Sequence, residues 1–276
     1  MFLERAVEEA RRRVREMSKI FPVTHLETLC SDLPPPPSLS RAIRRNAEEG
    51  VAIIAEVKRR SPSRGVINPD LRVAETVRAY SRGGACAVSV LTEPRHFGGS
   101  LLDLAEASAA VDIPVLRKDF ILDRYQLLEA RAAGAAAVLL IAAALDKRGL
   151  SSLLAESREL ALECLVEIRD EKELEKALEA GAQMIGINNR DLDTLEVDVK
   201  TALRLAPLVP DSLTLVAESG YRSRGDLEGL RERGVDAVLV GEALSGSRDP
   251  ERALLALRGA GKASSNREAG EGLSGP

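Results

Sequence analysis

The sequence predicts a single-domain α/β fold in which eight strands, each followed by a helix, close into a TIM (β/α)8 barrel with a helical extension at the N-terminus. Three observations predict it. Short, near-continuous runs of Val, Ile, Leu and Ala recur along the chain, as strands of a parallel sheet covered by helices require. Amphipathic stretches at helical spacing separate them. A glycine precedes several of the runs, in Gly84-Ala85-Cys86-Ala87-Val88, Gly134-Ala135-Ala136-Ala137-Val138, Gly181-Ala182-Gln183-Met184-Ile185 and Gly234-Val235-Asp236-Ala237-Val238, where it can take the left-handed conformation that ends a helix before a buried strand. The 276 residues suit one barrel, which takes about 250. Eight units of roughly even length fit closure better than an open, doubly wound sheet.

In chain order, residues 2–18 read as a Glu- and Arg-rich helix, and Pro34-Pro35-Pro36-Pro37 is a stiff extended segment. Ser38 then caps a helix over 39–49. Residues 1–50 thus form an extension expected to pack against one end of the barrel, which occupies 51–259. Strands are expected at 51–59, 85–92, 114–120, 136–143, 163–168, 184–189, 214–220 and 237–244, and helices at 71–81, 124–133, 147–161, 172–180, 199–208 and 224–233. Residues 260–276 are mostly Gly, Ser, Ala and charged residues, which predicts a disordered polar tail.

Composition narrows the function classes. The 39 basic and 43 acidic residues are interleaved, which argues against a nucleic-acid surface. The longest apolar run, 135–145, is well short of the roughly 20 residues a membrane helix needs. Three dispersed cysteines and no signal-like leader fit a reducing cytoplasm. His25 and His96 are the only histidines, too few for a His triad or a multi-histidine metal site. His96 is expected on a surface loop, and neither a metal nor a cofactor is expected. No exposed apolar stripe demands a partner, so a monomer is expected.

A TIM barrel keeps its chemistry at the C-terminal strand ends, and charge gathers there. The first strand ends in Glu56 and Lys58, two apart and therefore on one face. The third ends Arg117-Lys118-Asp119, the fifth carries Glu167, the sixth ends Asn188-Asn189-Arg190 and the seventh Glu218-Ser219-Gly220. One charged strand end often marks only where the chain meets solvent, but five in one set point to a site. Arg117, Asp119 and Asp191, of opposite parity, are assigned to ion pairs between layers or to helix caps. Lys118 or Lys58 could donate a proton, Glu167 could accept one, Asn188 could hydrogen-bond an intermediate, and Arg190 could pair with a carboxylate. Gly220 and Gly241, after strands seven and eight, would let backbone amides approach a phosphate, with Ser219 adding a hydroxyl. Ser61 lies in a loop, Ser61-Pro62-Ser63-Arg64-Gly65, placed to close over an anion. Phe97 and Phe120, in rim loops of a sequence poor in aromatics, suggest an apolar slot for a ring.

Taken together, Ile54-Ala55-Glu56-Val57-Lys58-Arg59-Arg60-Ser61-Pro62-Ser63, Leu91-Thr92-Glu93 with Phe97-Gly98-Gly99-Ser100, Arg117-Lys118-Asp119-Phe120-Ile121, Gly186-Ile187-Asn188-Asn189-Arg190-Asp191-Leu192 and Ala217-Glu218-Ser219-Gly220 resemble the indole-3-glycerol phosphate synthase family, in the family's order and over roughly residues 36–257. The resemblance implies ring closure of 1-(2-carboxyphenylamino)-1-deoxyribulose 5-phosphate to indole-3-glycerol phosphate, with loss of carbon dioxide and water. It implies Lys118 as general acid and Glu167 as base of the dehydration. Lys58 corresponds to a residue that touches phosphate and is a second candidate acid. Glu56, Asn188, Arg190, Glu218 and Ser219 match positions that bind or orient substrate, Gly220 and Gly241 the phosphate site, and Phe97 with Phe120 the aromatic pocket. Tyr221 and Glu242 depart from the family's usual aliphatic residue and Ser, which bears on the phosphate contacts. The competing expectations are another phosphate-binding barrel, such as a phosphoribosylanthranilate isomerase, and a non-catalytic sugar-phosphate-binding barrel. The Lys118 and Glu167 pair together with the aromatic slot separates the isomerase from the first reading, and the intact acid and base argue against a binding module, which needs neither.

Overall fold

A computed structural model describes residues 1–48 and 50–259. Eight parallel strands, β1 (Ala52–Val57), β2 (Ala87–Leu91), β3 (Val115–Lys118), β4 (Ala137–Ile141), β5 (Glu163–Ile168), β6 (Met184–Asn188), β7 (Thr214–Glu218) and β8 (Ala237–Val240), follow one another round a closed barrel. β8 closes it on β1, from Ala52 opposite Ala237 to Ala55 opposite Val240. Every expected strand is present, most of them shorter than expected at their C-terminal ends. Residues 119–120, 142–143, 219–220 and 241–244 have left the sheet for turns, a 3-10 segment and a short helix. The four junction glycines, Gly84, Gly134, Gly181 and Gly234, have φ between 84° and 88°, the left-handed turn that frees the chain from each helix.

The barrel's helical segments are α4 (Val73–Arg82), α5 (Leu101–Ala110), α6 (Arg124–Ala132), α7 (Lys147–Glu159), α8 (Glu171–Ala180), α9 (Lys200–Leu205), α10 (Glu242–Ser245) and α11 (Pro250–Arg258). The expected alternation places a helix after every strand but gives no range for α5, whose Ala-rich face offers little periodic contrast, or for α11. The expected helix over 224–233 is instead two 3-10 turns, Arg224–Leu227 and Arg231–Arg233, parted by Gly229 at φ 75°. The expected helix over 199–208 stops at Leu205 and tightens into a 3-10 turn that contains Pro207.

The N-terminal extension holds α1 (Phe2–Ile20), an unanticipated α2 (Val23–Ser31) and α3 (Leu39–Ala47). Ser38 caps α3 as expected, its hydroxyl accepting from Arg41 N–H at 3.2 Å; the expected end of this helix, Glu49, lies outside the described residues. The extension reaches both ends of the barrel and not one. α3 closes the N-terminal end, where Leu39 and Ile43 are fully buried in the luminal core with Ala52, Ala137, Met184 and Ala237. Glu163 at the start of β5 accepts from Ser38 and Ser40, and Thr214 at the start of β7 from Arg44. α2 runs down the side, packing Leu26 against Tyr125 and Leu128 of α6. α1 lies across the C-terminal rim, tied by Arg13 to Asp119 at 2.7 Å and by Glu9 to Arg95 at 2.6 Å. The tail expected over 260–276 also lies outside the described residues. Among the described residues no helix is long and apolar enough to cross a membrane.

Candidate active site at the barrel mouth

On β1, β3, β5 and β7 the luminal face turns from apolar to polar within two residues. Ile54, Leu116, Leu165 and Val216 belong to the luminal core, and the next residues of the same parity are Glu56, Lys118, Glu167 and Glu218. Strand alternation therefore aims all four into the mouth. Glu56, Glu167 and Glu218 are between 1% and 3% exposed. Such burial of carboxylates requires compensating cations. Lys118 Nζ is 3.3 Å from Glu218 Oε2 and 3.5 Å from Glu167 Oε2, and Lys58 Nζ is 2.5 Å from Glu56 Oε1. Two glycines make room for this cluster: a Cβ at Gly186 would strike the Glu218 carboxylate, and one at Gly241 the Glu56 carboxylate.

Burial by itself disfavours the charged Lys118 ammonium, but Glu218, Glu167 and Glu56 outweigh it and hold the group protonated beyond the ordinary lysine range. Glu218 responds in the opposite sense. Burial, reinforced by Glu167 and Glu56 against the pull of Lys118, pushes its carboxyl up to about 7. Neither of its oxygens has a well-directed hydrogen bond.

One cavity is lined by Glu56, Lys58, Lys118, Arg190, Glu218, Ser219, Gly220, Gly241 and Glu242, and a second, sharing Arg190, by Glu167, Asn188 and Leu3 of α1. The predicted acid, base and phosphate residues are thus brought together. Asn188 Oδ1 accepts from Arg190 N–H at 2.9 Å, which leaves the amide nitrogen to donate elsewhere. Ser219 and Gly220 both have positive φ, 65° and 95°; for a serine this is a strained conformation. Ser61, Phe97 and Phe120 line neither cavity. Ser61 sits in a hairpin, Arg60–Ser61 paired with Gly65–Val66, and its hydroxyl accepts from Arg64 N–H. Phe120 is buried edge-on against Phe2 of α1 at 6.2 Å between ring centres, and Phe97 packs partly buried on the same luminal core.

Arg117 and Asp119, as expected of their parity, point away from the lumen. Arg117 pairs with Asp119 and Glu129, and Asp119 also holds Arg13 and Thr92. The charge of Arg117 and Arg13 overcomes the effect of burial and lowers the Asp119 carboxyl below its ordinary value.

Several contributors escaped the sequence reading. The Ser245 hydroxyl accepts from Lys58 N–H at 3.1 Å and donates to Glu56 C=O at 2.8 Å, with Tyr80 O–H also reaching that carbonyl. Asn189 donates to Ser219 C=O and to the Tyr221 hydroxyl while its own oxygen accepts from Ala202 N–H. Helical spacing from Gly241 could have flagged Ser245; nothing in the sequence marks Tyr80. His96, expected on a surface loop, is partly covered by α1, its ring 5.0 Å from that of Phe2 and its Nε2 3.2 Å from Glu9. Glu9, Glu93 and His96 are the one group of described residues whose donor atoms lie close enough to hold a metal ion. They are already engaged internally: Glu93 accepts from the N–H groups of Arg95, His96 and Phe97, and Glu9 pairs with Arg95.

Comparison with known proteins gives one family. The family model for indole-3-glycerol phosphate synthase matches residues 3–257. An indole-3-glycerol phosphate synthase of Mycolicibacterium smegmatis is 47% identical over 259 residues, covering 94% of each chain. That of Dehalococcoides mccartyi is 46% identical over 252 residues, 90% of this chain and 96% of the relative. One from a Nocardioides species is 54% identical over 210 residues, 76% and 81%. Among solved structures, a 3-hexulose-6-phosphate synthase superposes with a TM-score of 0.61 at 16% identity, over 76% of this chain and 99% of the other. That likeness concerns the fold alone.

Proposed function

The chain belongs to the indole-3-glycerol phosphate synthase family, carboxy-lyases of tryptophan biosynthesis that act on 1-(2-carboxyphenylamino)-1-deoxyribulose 5-phosphate, and we propose how its mouth divides the work. Lys118 is the general acid of ring closure. As the aryl carbon bonds to the sugar carbonyl carbon, the Lys118 ammonium passes its proton to the carbonyl oxygen. The positive charge moves from the ammonium to the ring, where Glu56, Glu167 and Glu218 still surround it. The ring cation then expels carbon dioxide, the electrons of the breaking bond restoring aromaticity. In the dehydration that follows, Lys118, reprotonated from solvent, gives a second proton to the new hydroxyl, which leaves as water. Glu167 takes the proton lost from the carbon beside it.

The observation that carries this reading is the pairing itself: Lys118 is within 3.5 Å of both Glu167 and Glu218, whereas Lys58 is paired with Glu56 beside Gly241. The two ammonium groups answer to different carboxylates, which favours Lys118 for the carbonyl and Lys58, with Gly220, Gly241 and Ser219, for the phosphate. Asn188 and Arg190 orient the substrate's hydroxyl and carboxylate. Ser61, Phe97 and Phe120 act by shaping the rim. The free thiols Cys30, Cys86 and Cys164 support a reducing, cytoplasmic setting.

The test is to supply the carboxyphenylamino-deoxyribulose phosphate and follow indole fluorescence. Lys118→Ala is expected to lose at least about a hundredfold in kcat with its circular dichroism unchanged. Undiminished turnover would remove Lys118 as the acid.

A further inference from the structure

Glu242, the first residue of α10, puts a third anion into the recess that the phosphate reading needs for its own. The side chain shares the cavity wall with Lys58, Gly220 and Gly241, and both of its oxygens are engaged. Oε1 accepts from Arg190 Nη2 at 3.0 Å and Oε2 from Arg64 Nε at 3.1 Å. The carboxylate and Arg190 are 15% and 19% exposed, Arg64 57%. One carboxylate therefore ties together three separate parts of the rim: the hairpin after β1, the turn after β6 and the start of α10.

A phosphate delivered to Lys58 and the two glycines meets this carboxylate across the same small recess. Like charges at such range repel strongly where water is scarce. The phosphate offers Arg64 a stronger partner, with about twice the charge and three acceptor oxygens, and Arg190, released from Glu242, is then free to meet the substrate's carboxylate. We propose that Glu242 is an internal counter-anion: it holds Arg190 in the wall of the phosphate recess and Arg64 at its rim, and the phosphate of the substrate displaces it on binding. This rests on reading the recess as the phosphate site and deepens it. Glu242 then sets specificity by cost, because a ligand without a strong anion cannot break the two ion pairs and so cannot open the recess.

The alternative is that Glu242 merely anchors Arg190 in a productive pose. The two readings differ in sign. A counter-anion competes with phosphate, so its removal tightens anion binding; an anchor supports the arginine, so its removal loosens binding. Titration of the full-length chain with inorganic phosphate, followed by thermal shift and calorimetry, separates them. Glu242→Gln and Glu242→Ser, the second suited to a helix start, should each lower the phosphate Kd by about fivefold or more relative to wild type, and lower the substrate KM. Benzoate, a carboxylate without phosphate, should show a much smaller gain. An unchanged or higher phosphate Kd in both variants overturns the proposal, as does a benzoate gain equal to that of phosphate. Loss of turnover in the wild type with the phosphate response intact would instead sink the ring-closure reading and leave the counter-anion standing.

Discussion

Apart from Glu242, which the arginines hold, two ammonium groups and three carboxylates share the barrel mouth, and Glu218 carries the imbalance. With Lys58 paired to Glu56 and Lys118 shared between Glu167 and Glu218, burial and the two like charges outweigh the pull of Lys118 on Glu218, which is why its carboxyl is pushed up to about 7. The folded state therefore holds a proton that the unfolded chain has released between ordinary glutamate pH and neutrality. The stability this confers is complete below the ordinary glutamate value and is lost as pH rises through about 7. Glu218→Gln, neutral at every pH, should melt several degrees above wild type near pH 8, with the difference shrinking toward pH 5. Thermal unfolding at the two pH values checks it; a wild-type chain that is the more stable at pH 8 would refute it. At this scale the sequence was informative because parity alone aims Glu56, Lys118, Glu167 and Glu218 the same way. Which ammonium meets which carboxylate was not legible, since that depends on the shape of the lumen and on the space left by Gly186 and Gly241.

Among the elements, β1 depends on a helix that the sequence hid inside an expected strand. β8 accompanies β1 only as far as Val240 opposite Ala55, so the backbone of Glu56 and Lys58 on that side has no strand to pair with. Ser245 of α10 supplies the missing acceptor and donor with one hydroxyl. Ser245→Ala leaves the Lys58 N–H without its partner and the Glu56 carbonyl with only the longer bond from Tyr80, and should cost roughly 1–3 kcal/mol in urea unfolding. It should also raise KM, because Lys58 loses its register with Gly241; an unchanged KM would show that the clamp is structural only. Such a clamp is invisible in a period-2 pattern, where residues 237–244 read as one apolar run. The same limit explains α5 and the segment 224–233: apolar periodicity reports faces, and neither an Ala-rich helix nor a glycine-broken turn has a clear one. The junction glycines were legible because their signal is conformational and local.

At the level of the whole molecule, the extension divides its labour between the two ends of the barrel. α3 plugs the end away from the chemistry with Leu39 and Ile43, whereas α1 brings Phe2 and Leu3 to the rim. Leu39→Ala should cost about 2–5 kcal/mol of stability and leave kcat near the wild-type value. Phe2→Ala, at the opposite end, should raise KM with a smaller loss of stability. Parallel unfolding and steady-state measurements check the pair, and an L39A enzyme with normal stability would contradict the plug. The barrel and its helical extension were legible from the alternation of strand and helix. The route of the extension past both ends was not, because it rests on contacts such as Arg13 with Asp119 and Ser40 with Glu163, each joining residues over a hundred positions apart.

The seam between β1 and β8 sets a timetable. Lys58 and Glu56 reach Ser245 across 187 and 189 positions, so the ribosome has made most of the chain before the first strand finds its last neighbour. Until then the ammonium and carboxylate at residues 56–58 have no floor, and no nascent fragment ending before α10 can turn over substrate. Appearance of activity during synthesis or refolding is therefore a clock for barrel closure, read in the product's own fluorescence.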